Sequence, residues 1–297
     1  MRINNIKNIV SYIPISAVRT RAADLLDQSL YPLLPPRCAR CGDALGAQDG
    51  LCGSCWKTIS FLSAPLCELC AFPLSFNETY AQKTDCEHSN EDGKGEDAHL
   101  RCAACYSNPP PFAAGLAAVR YTDTSRALLL QLKYGDRTDL AGLFARWGQM
   151  ALAQRPLATP IDICLPVPLH RARLRKRRFN QALLIARQLA KRNGWRLSVD
   201  GLIRHRPTKV QQGLTAAGRE RNVSGAFRIR PKAADRFKGK HILLIDDVWT
   251  TGSTLRECAR VLNRAGAKQV TALSIARVVT PEGQGDPWQN HGPDATD

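Results

Sequence analysis

Residues 242–254 read Ile-Leu-Leu-Ile-Asp-Asp-Val-Trp-Thr-Thr-Gly-Ser-Thr, and the order of these residue types decides the fold. Ile242 to Ile245 form a continuous aliphatic run, the pattern of a strand buried on both faces of a parallel sheet. Two carboxylates follow, Asp246 and Asp247. Next come Thr250, Thr251, Gly252, Ser253 and Thr254, which are small and rich in hydroxyls. Leu255, Cys258, Ala259 and Leu262 then recur at helical spacing until Gly266 ends the pattern. The stretch reads as strand, acid pair at the strand end, phosphate-sized loop and helix.

Each part has a chemical use. A helix start offers unpaired backbone N–H groups and the positive end of its dipole to an anion. Gly252 lets the backbone approach closely, and the hydroxyls add donors to phosphate oxygens. An acid pair at a strand end sits in the usual ligand crevice of an open α/β sheet. Carboxylates there accept hydrogen bonds from vicinal ribose hydroxyls, or reach Mg²⁺ through water. The bland alternative is a buried strand followed by a polar turn. Acids beside a phosphate cradle point instead to a ligand with both sugar hydroxyls and a phosphate.

The rest of the C-terminal half alternates in the same way. Gly115 to Tyr121, Ile161 to Val167 and Gln269 to Val278 read as strands. Ser125 to Leu132, the face formed by Leu140, Leu143, Phe144, Trp147 and Ala151, and the face formed by Ala182, Ile185, Ala186 and Leu189 read as helices. Strands alternating with helices predict a parallel α/β sheet. Between a strand and a helix, residues 168–181 read Pro-Leu-His-Arg-Ala-Arg-Leu-Arg-Lys-Arg-Arg-Phe-Asn-Gln, a basic connecting run. A second basic segment, from Arg206 through Arg219 and Arg221 to Phe227, has the polar, Gly-containing character of a mobile loop. The tail from Pro281 is expected to be disordered.

Charge is concentrated in this half. The 297-residue chain carries a formal net charge of +16, whereas residues 161–280 alone hold 26 Lys or Arg against 7 Asp or Glu. Such a field attracts nucleic acid or highly charged phosphates, and Arg171, Arg173, Arg175 and Lys176 are the candidate nucleic-acid contacts. The bland alternative is a solvated basic face.

The N-terminal half is organised by cysteine. Of 11 cysteines, eight fall in four Cys-x-x-Cys pairs: Cys38/Cys41, Cys52/Cys55, Cys67/Cys70 and Cys102/Cys105. Each pair places two thiolates on one side of a tight knuckle, and two knuckles complete a tetrahedral Zn²⁺ site. Disulfides are the weaker alternative, since no secretion signal is visible. Pairing in sequence order is simplest, although a cross-braced arrangement fits the same spacing. A polar, acidic insert lies between Asn77 and His99, with Cys86 and His88 as spare ligands or incidental residues. Ala17 to Leu30 reads as a short amphipathic helix. Cys164 and Cys258 fall in core elements and read as plain buried cysteines. No run of eighteen apolar residues exists, so no membrane-spanning helix is expected, and a cytoplasmic protein is the simplest reading.

The Asp-Asp-Val-Trp-Thr-Thr-Gly-Ser-Thr stretch closely resembles the ribose-5-phosphate loop of type I phosphoribosyltransferases, which bind phosphoribosyl pyrophosphate (PRPP). Four knuckles, then Leu-Lys-Tyr-Gly-Asp at 132–136, Pro-Val-Pro-Leu-His at 166–170 with Arg-Phe-Asn-Gln at 178–181, Thr-x-x-Gln-x-Gly-Leu at 208–214 with Arg-x-Arg-Asn at 219–222, and the Asp-Asp-Val loop together resemble the GntX-like ComF family. The resemblance covers about residues 30–279. It implies an N-terminal segment over 1–30, a zinc module over 31–110, a type I phosphoribosyltransferase-like domain over 111–279 and a tail over 280–297. It also implies PRPP as ligand with Mg²⁺, Asp246 and Asp247 on the ribose hydroxyls, and residues Thr250 to Thr254 on the 5′-phosphate. Lys133, Arg177, Asn180 and Gln181 would serve the pyrophosphate. Family members are associated with natural transformation, so single-stranded DNA and competence or recombination proteins are implied partners. Two other readings stay open: a metabolic phosphoribosyltransferase salvaging a base, and a regulator that senses PRPP without chemistry. One departure stands out, because Arg178 occupies the place where the family pattern has Gly in Arg-Gly-Phe-Asn-Gln.

Overall fold

A computed structural model describes residues 36–46, 50–75, 100–208 and 215–279. The expected helix at 17–30, the acidic insert with Cys86 and His88, and the tail lie outside the described residues. The chain divides into two compact units, Met1–Cys52 and Gly53–Asp297. Residues 53–110 therefore share a unit with the sheet.

In the first unit, an antiparallel bridge joins Arg37 and Ala44, and the turn between them carries Cys38 and Cys41. The Gly42 amide donates to Cys38 O at 3.0 Å. Gly42 adopts φ +81°, a conformation that glycine enters without steric cost. The second unit repeats this turn in the same register. There the bridge joins Leu66 and Pro73, and Cys67 and Cys70 lie between. The Ala71 amide donates to Cys67 O at 2.8 Å, and Ala71 takes φ +54° where Gly42 stood.

The second unit opens with α1 (Gly53–Lys57) and α2 (Ala103–Ser107), then builds β1 (Ala114–Arg120), α3 (Asp123–Tyr134), α4 (Leu140–Gln154), β2 (Ile163–Pro166) and α5 (Arg171–Arg177). It continues with α6 (Gln181–Asn193), β3 (Arg196–Leu197), β4 (Leu202–Arg204), α7 (Ala216–Val223) and β5 (Phe227–Ile229). A 3₁₀ turn at Pro231–Arg236 leads to β6 (His241–Trp249), α8 (Ser253–Arg264) and β7 (Gln269–Arg277). The five-stranded sheet has the order β1-β7-β6-β2-β3, and every pair in it is parallel. Strands β4 and β5 form a separate antiparallel pair.

Strand alternation sends neighbouring side chains to opposite faces. Ile163 and Leu165 join a core with Leu255, Cys258, Ala259 and Leu262 of α8. Cys164 between them donates its thiol to Ala186 O of α6. Helices α8 and α6 thus cover opposite faces, and β2 and β6 are wholly apolar where they pair with each other, Ile163–Pro166 against residues 242–245.

Two segments differ from the sequence reading. The basic run is a helix rather than a loop: α5 starts where the His170 side chain accepts from the Ala172 amide at 3.3 Å. The second basic segment is also structured over its described part. Helix α7 is capped by Thr215, whose hydroxyl accepts from Gly218 N at 3.1 Å, and β5 pairs with β4. Val223, Ala226 and Phe227 are buried in the core with α8, and ionic contacts add to this attachment. Arg260 of α8 bridges Glu220 at 2.9 Å and Glu257 at 3.2 Å, and Glu257 accepts from Gly225 N at 2.8 Å. Three buried apolar residues so close together in a short segment leave no hydrophobic periodicity to read in the sequence.

Candidate functional site

The two strands that flank β6 stop at different points, and this opens the site. β2 pairs with β6 only as far as Pro166 opposite Ile245, whereas β7 accompanies it to Trp249. Proline lacks the N–H needed to continue a ladder, and Pro166 and Pro168 end β2 there. Asp246 and Asp247 therefore lie inside β6 rather than after it, beside a free edge. Both line a cavity of about 210 Å³, walled also by Thr250, Gly252, Ser253 and Thr254.

The loop is shaped by close packing. Gly252 adopts φ +78° at the start of α8, and a Cβ there would lie 2.5 Å from Trp249 Nε1. The Thr251 hydroxyl donates to Ser253 Oγ at 3.3 Å. Thr251 turns away from this cavity and lines a neighbouring one of about 190 Å³ with Cys70, Cys102 and Arg256. Arg277 at the end of β7 supports the loop from behind. Its Nη1 donates to Thr250 O at 2.6 Å, Val278 O at 2.6 Å and Trp249 O at 3.3 Å, while its Nε donates to Cys70 O at 3.1 Å.

The two acids are not equivalent. Asp247 Oδ2 meets Lys133 Nζ at 2.9 Å. Burial pushes the Asp247 carboxyl up, but the Lys133 charge overcomes this and holds it below the usual carboxylate value. Burial and the adjacent Asp247 charge hold Asp246 well above that value. Asp246 Oδ1 accepts from Asp247 N at 2.9 Å, and Asp247 Oδ1 from Val248 N at 2.8 Å. The two carboxyls are thus pushed in opposite directions, Asp246 towards its acid form and Asp247 towards its carboxylate.

The expected pyrophosphate group is divided. Lys133 and Arg177 line the cavity, and Arg177 Nη2 donates to Tyr134 Oη at 2.9 Å while stacking on its ring. Asn180 instead donates to Val167 O at 2.9 Å and holds the end of β2. Gln181 is buried, and neither residue lines the cavity. Of the basic run, Arg173 lines the cavity, whereas Arg171, Arg175 and Lys176 are exposed on α5. Three further lining residues, Tyr121, Arg204 and Arg219, were not marked by the sequence reading as ligand contacts. Arg219 falls in a motif, but Arg204 is a lone arginine in a three-residue strand and carries no signal.

Arg178, where the family pattern has Gly, adopts φ +63°, a region that glycine enters without steric cost, and its guanidinium pairs with Asp136 at 3.0 Å. Asp136 itself lies at φ +51°.

The eight knuckle cysteines form two groups, Cys38, Cys41, Cys52 and Cys55, and Cys67, Cys70, Cys102 and Cys105. Within each, all sulfurs lie within 4.8 Å of one another. The pairing is therefore sequential, not cross-braced. Cys41 and Cys52 sulfurs are 3.5 Å apart, and those of Cys70 and Cys102 are 3.6 Å apart. Thiolates about 2.3 Å from a tetrahedral zinc ion stand close to such separations, so both groups fit the metal. Cys52 N donates to Cys38 Sγ at 3.3 Å. Burial raises the Cys38 thiol, but backbone hydrogen bonds from Cys41, Cys52 and Arg40 bring it to about 6. In the second group, hydrogen bonds from Cys102, Cys105 and Cys70 lower Cys67, and the complementary bond to Cys102 raises Cys105. Four crowded thiols cannot all ionise without a cation among them. Cys164 and Cys258 are fully buried and lie in neither group. Among the described residues, no helix is long and apolar enough to cross a membrane.

Known proteins resemble both parts of the chain. Residues 30–105 match the double zinc ribbon domain, and residues 180–290 match the phosphoribosyl transferase domain. The chain is 30% identical over 233 residues to the DNA utilization protein YhgH of Escherichia coli O6:H1, covering 77% of this chain and 98% of that one. It is 28% identical to Competence protein F of Haemophilus influenzae, covering 81% and 96%. It is 26% identical to Competence protein ComFC of Bacillus subtilis, covering 78% and 86%.

Proposed function

The chain belongs to the ComF family, and from that premise we propose that it binds PRPP with Mg²⁺ in the β6–α8 crevice and handles incoming single-stranded DNA in the cytoplasm during natural transformation. The observation that carries the PRPP reading is the crevice itself. A glycine-turned helix start with three hydroxyls lies beside an acid pair and several cations at the open edge of a parallel sheet. The loop amides and hydroxyls of Thr250, Ser253 and Thr254 hold the 5′-phosphate. Asp247, kept ionised by Lys133, accepts from one ribose hydroxyl, and Asp246 contacts the other. Lys133 and Arg177 face the pyrophosphate. Mg²⁺, when bound, neutralises pyrophosphate charge.

The zinc module spans 31–110 and the phosphoribosyltransferase-like domain 111–279 in this reading. Structural zinc in both cysteine groups supplies folding energy. The names of the relatives support a role with DNA, and the exposed Arg171, Arg175 and Lys176 supply cations outside the crevice for the strand backbone. Salvage of a base needs neither the zinc module nor this charge.

Calorimetry tests the ligand. Joint replacement Asp246→Ala and Asp247→Ala removes the ribose acceptors, and a loss of roughly 3 kcal/mol, about a hundredfold in PRPP affinity, is expected. A wild type that ignores PRPP ends the reading. Single-stranded DNA binding is tested separately by neutralising Arg171, Arg175 and Lys176 together. Each lost phosphate contact should flatten the salt dependence by about 0.7 in log–log slope. An unchanged affinity and slope would make α5 a solvated face.

A further inference from the structure

Arg204 is hard to explain as a structural residue. It is only 7% exposed, yet among the described residues no carboxylate pairs with it and its Nε has no hydrogen-bond partner. No Asp or Glu occurs between residues 201 and 219. Its contacts are the Phe227 ring, 5.3 Å from the guanidinium carbon, and the Thr208 hydroxyl, to which Nη2 donates. A methionine would fill that place without burying a charge, and burial of an unpaired ion is costly. Arg173 of α5 converges on the same residue, its Nη2 donating to Thr208 O at 3.3 Å. Two guanidinium groups are thus anchored on one threonine and line the crevice together. Burial first, and the Arg173 charge second, bring the Arg204 pKa down to about 10. Asp246, whose charge favours the guanidinium, is itself pushed towards its acid form by burial and by the Asp247 charge.

We propose that Arg173 and Arg204 form a second anion subsite that takes the carboxylate or phosphate group of a ligand other than PRPP. This inference rests on the reading of the crevice as a PRPP site. PRPP's two phosphate groups already have one set of donors each, the 250–254 loop and the Lys133–Arg177 side. Arg204 is supernumerary to both and belongs to the β4–β5 pair, a different wall. The second ligand is therefore an acidic compound and not a neutral base: a guanidinium fork recognises paired oxyanion oxygens, and an uncharged ring leaves its charge unmatched.

The probe is inorganic phosphate, titrated calorimetrically into protein saturated with PRPP and Mg²⁺, and into free protein. Wild type should bind one phosphate in the first case and up to three in the second. Arg204→Gln should weaken the PRPP-independent phosphate ten- to hundredfold, the loss of a charge-assisted hydrogen bond, while PRPP affinity stays within threefold. Arg204→Lys, keeping the charge, should recover part of the loss. Arg173→Gln, at a half-buried position, should act in the same direction and decides the matter if Arg204→Gln fails to fold. Phosphate binding indifferent to both variants overturns the subsite and leaves the crevice reading standing. A PRPP loss equal to the phosphate loss also overturns it, because the anion is then PRPP's own pyrophosphate. If wild type ignores PRPP but free protein still loses one phosphate in Arg204→Gln, the crevice reading fails and the subsite stands.

Discussion

Arg277→Ala should uncouple the phosphate loop from the second cysteine group. Arg277 places one fork between Cys70 O, inside the third knuckle, and the carbonyls of Trp249 and Thr250, where the loop begins. It also lies over the Trp249 ring at 5.4 Å and the Phe72 ring at 5.8 Å. The knuckle is pressed against the sheet at the same place: a Cβ on Gly115 would lie 2.3 Å from Leu69 O. Removal of Arg277 takes a donor from Cys70 O, Thr250 O and Val278 O, whereas Trp249 O keeps the Val278 amide at 2.9 Å. A buried acceptor that loses a charged donor costs about 1.5–3 kcal/mol, and water replaces part of that here, so about 1 kcal/mol each and about 3 kcal/mol in all is expected. For a unit of this size each kcal/mol lowers the unfolding midpoint by about 2–4 °C, giving a drop of about 6–12 °C. Arg277→Lys keeps the charge, but a single ammonium cannot span Cys70 O and Thr250 O, so it should recover less than half. The assays are thermal unfolding, zinc retention against a chelator and calorimetry with ribose 5-phosphate. Affinity should fall at least tenfold and zinc should leave faster. An alanine variant with wild-type midpoint, zinc retention and affinity would refute the coupling. Lost stability with unchanged affinity would refute the part in which Arg277 shapes the loop.

Metal analysis of reduced protein should find two zinc ions per chain, and Cys67→Ser should release one and lower the unfolding midpoint of the second unit. At Arg178 the positive φ penalises any side chain by about 1–2 kcal/mol, so Arg178→Gly should be more stable than Arg178→Ala by about 1 kcal/mol in denaturant unfolding; equal stabilities would mean that the turn relaxes. The acid pair predicts opposite pH effects. Asp247, held low by Lys133 against burial, contributes stability that is present above its unfolded value of about 3.9 and lost as pH falls through the folded value. Asp246, held high, contributes stability below its unfolded value that is lost as pH rises through its folded value. Asp246→Asn should therefore raise the urea midpoint at pH 7, and Lys133→Met should lower it; the reverse order sinks the assignment of the two protonation states.

The legible parts of this fold are those whose physics is local. The apolar run at 242–245, the helical spacing after Gly252 and the paired cysteines each state their element within a few residues, and all three stand where the sequence puts them. The basic run was harder. Charged residues obscure helical spacing, and the signal for α5 is a His170 cap that spacing does not reveal. Helix α7 and the β4–β5 pair are short and held by α8, through the Arg260 and Glu257 contacts and through burial of Leu202, Val223 and Phe227 against it, so no window of sequence contains the cause. In the site, the strand-end acids and loop were visible because one motif holds them. Arg204 reaches the crevice through tertiary folding alone. The extra reach of β6 beyond β2 was also hidden, since it depends on where a partner strand stops.

That unequal strand length explains why two neighbouring acids differ. Past Ile245 the β2 side of β6 is bare, and Lys133 from α3 reaches Asp247 at the cavity wall. Asp246 remains beside the β7 ladder, opposite Ser274, and among the described residues no cation forms an ion pair with it. Two ionised carboxylates so close would repel strongly at low dielectric, and one proton retained between them removes that cost. The crevice thus sets two acids, of which Asp247 alone is held low by a cation, against Lys133, Arg173, Arg177, Arg204 and Arg219 on its walls. Such an excess of cations matches a ligand of several negative charges, and a neutral sugar or base alone would leave it uncompensated. It also makes the order of binding matter: each anion that enters reduces the field felt by the next, so affinity for a second anion should fall once PRPP is bound unless Mg²⁺ accompanies it.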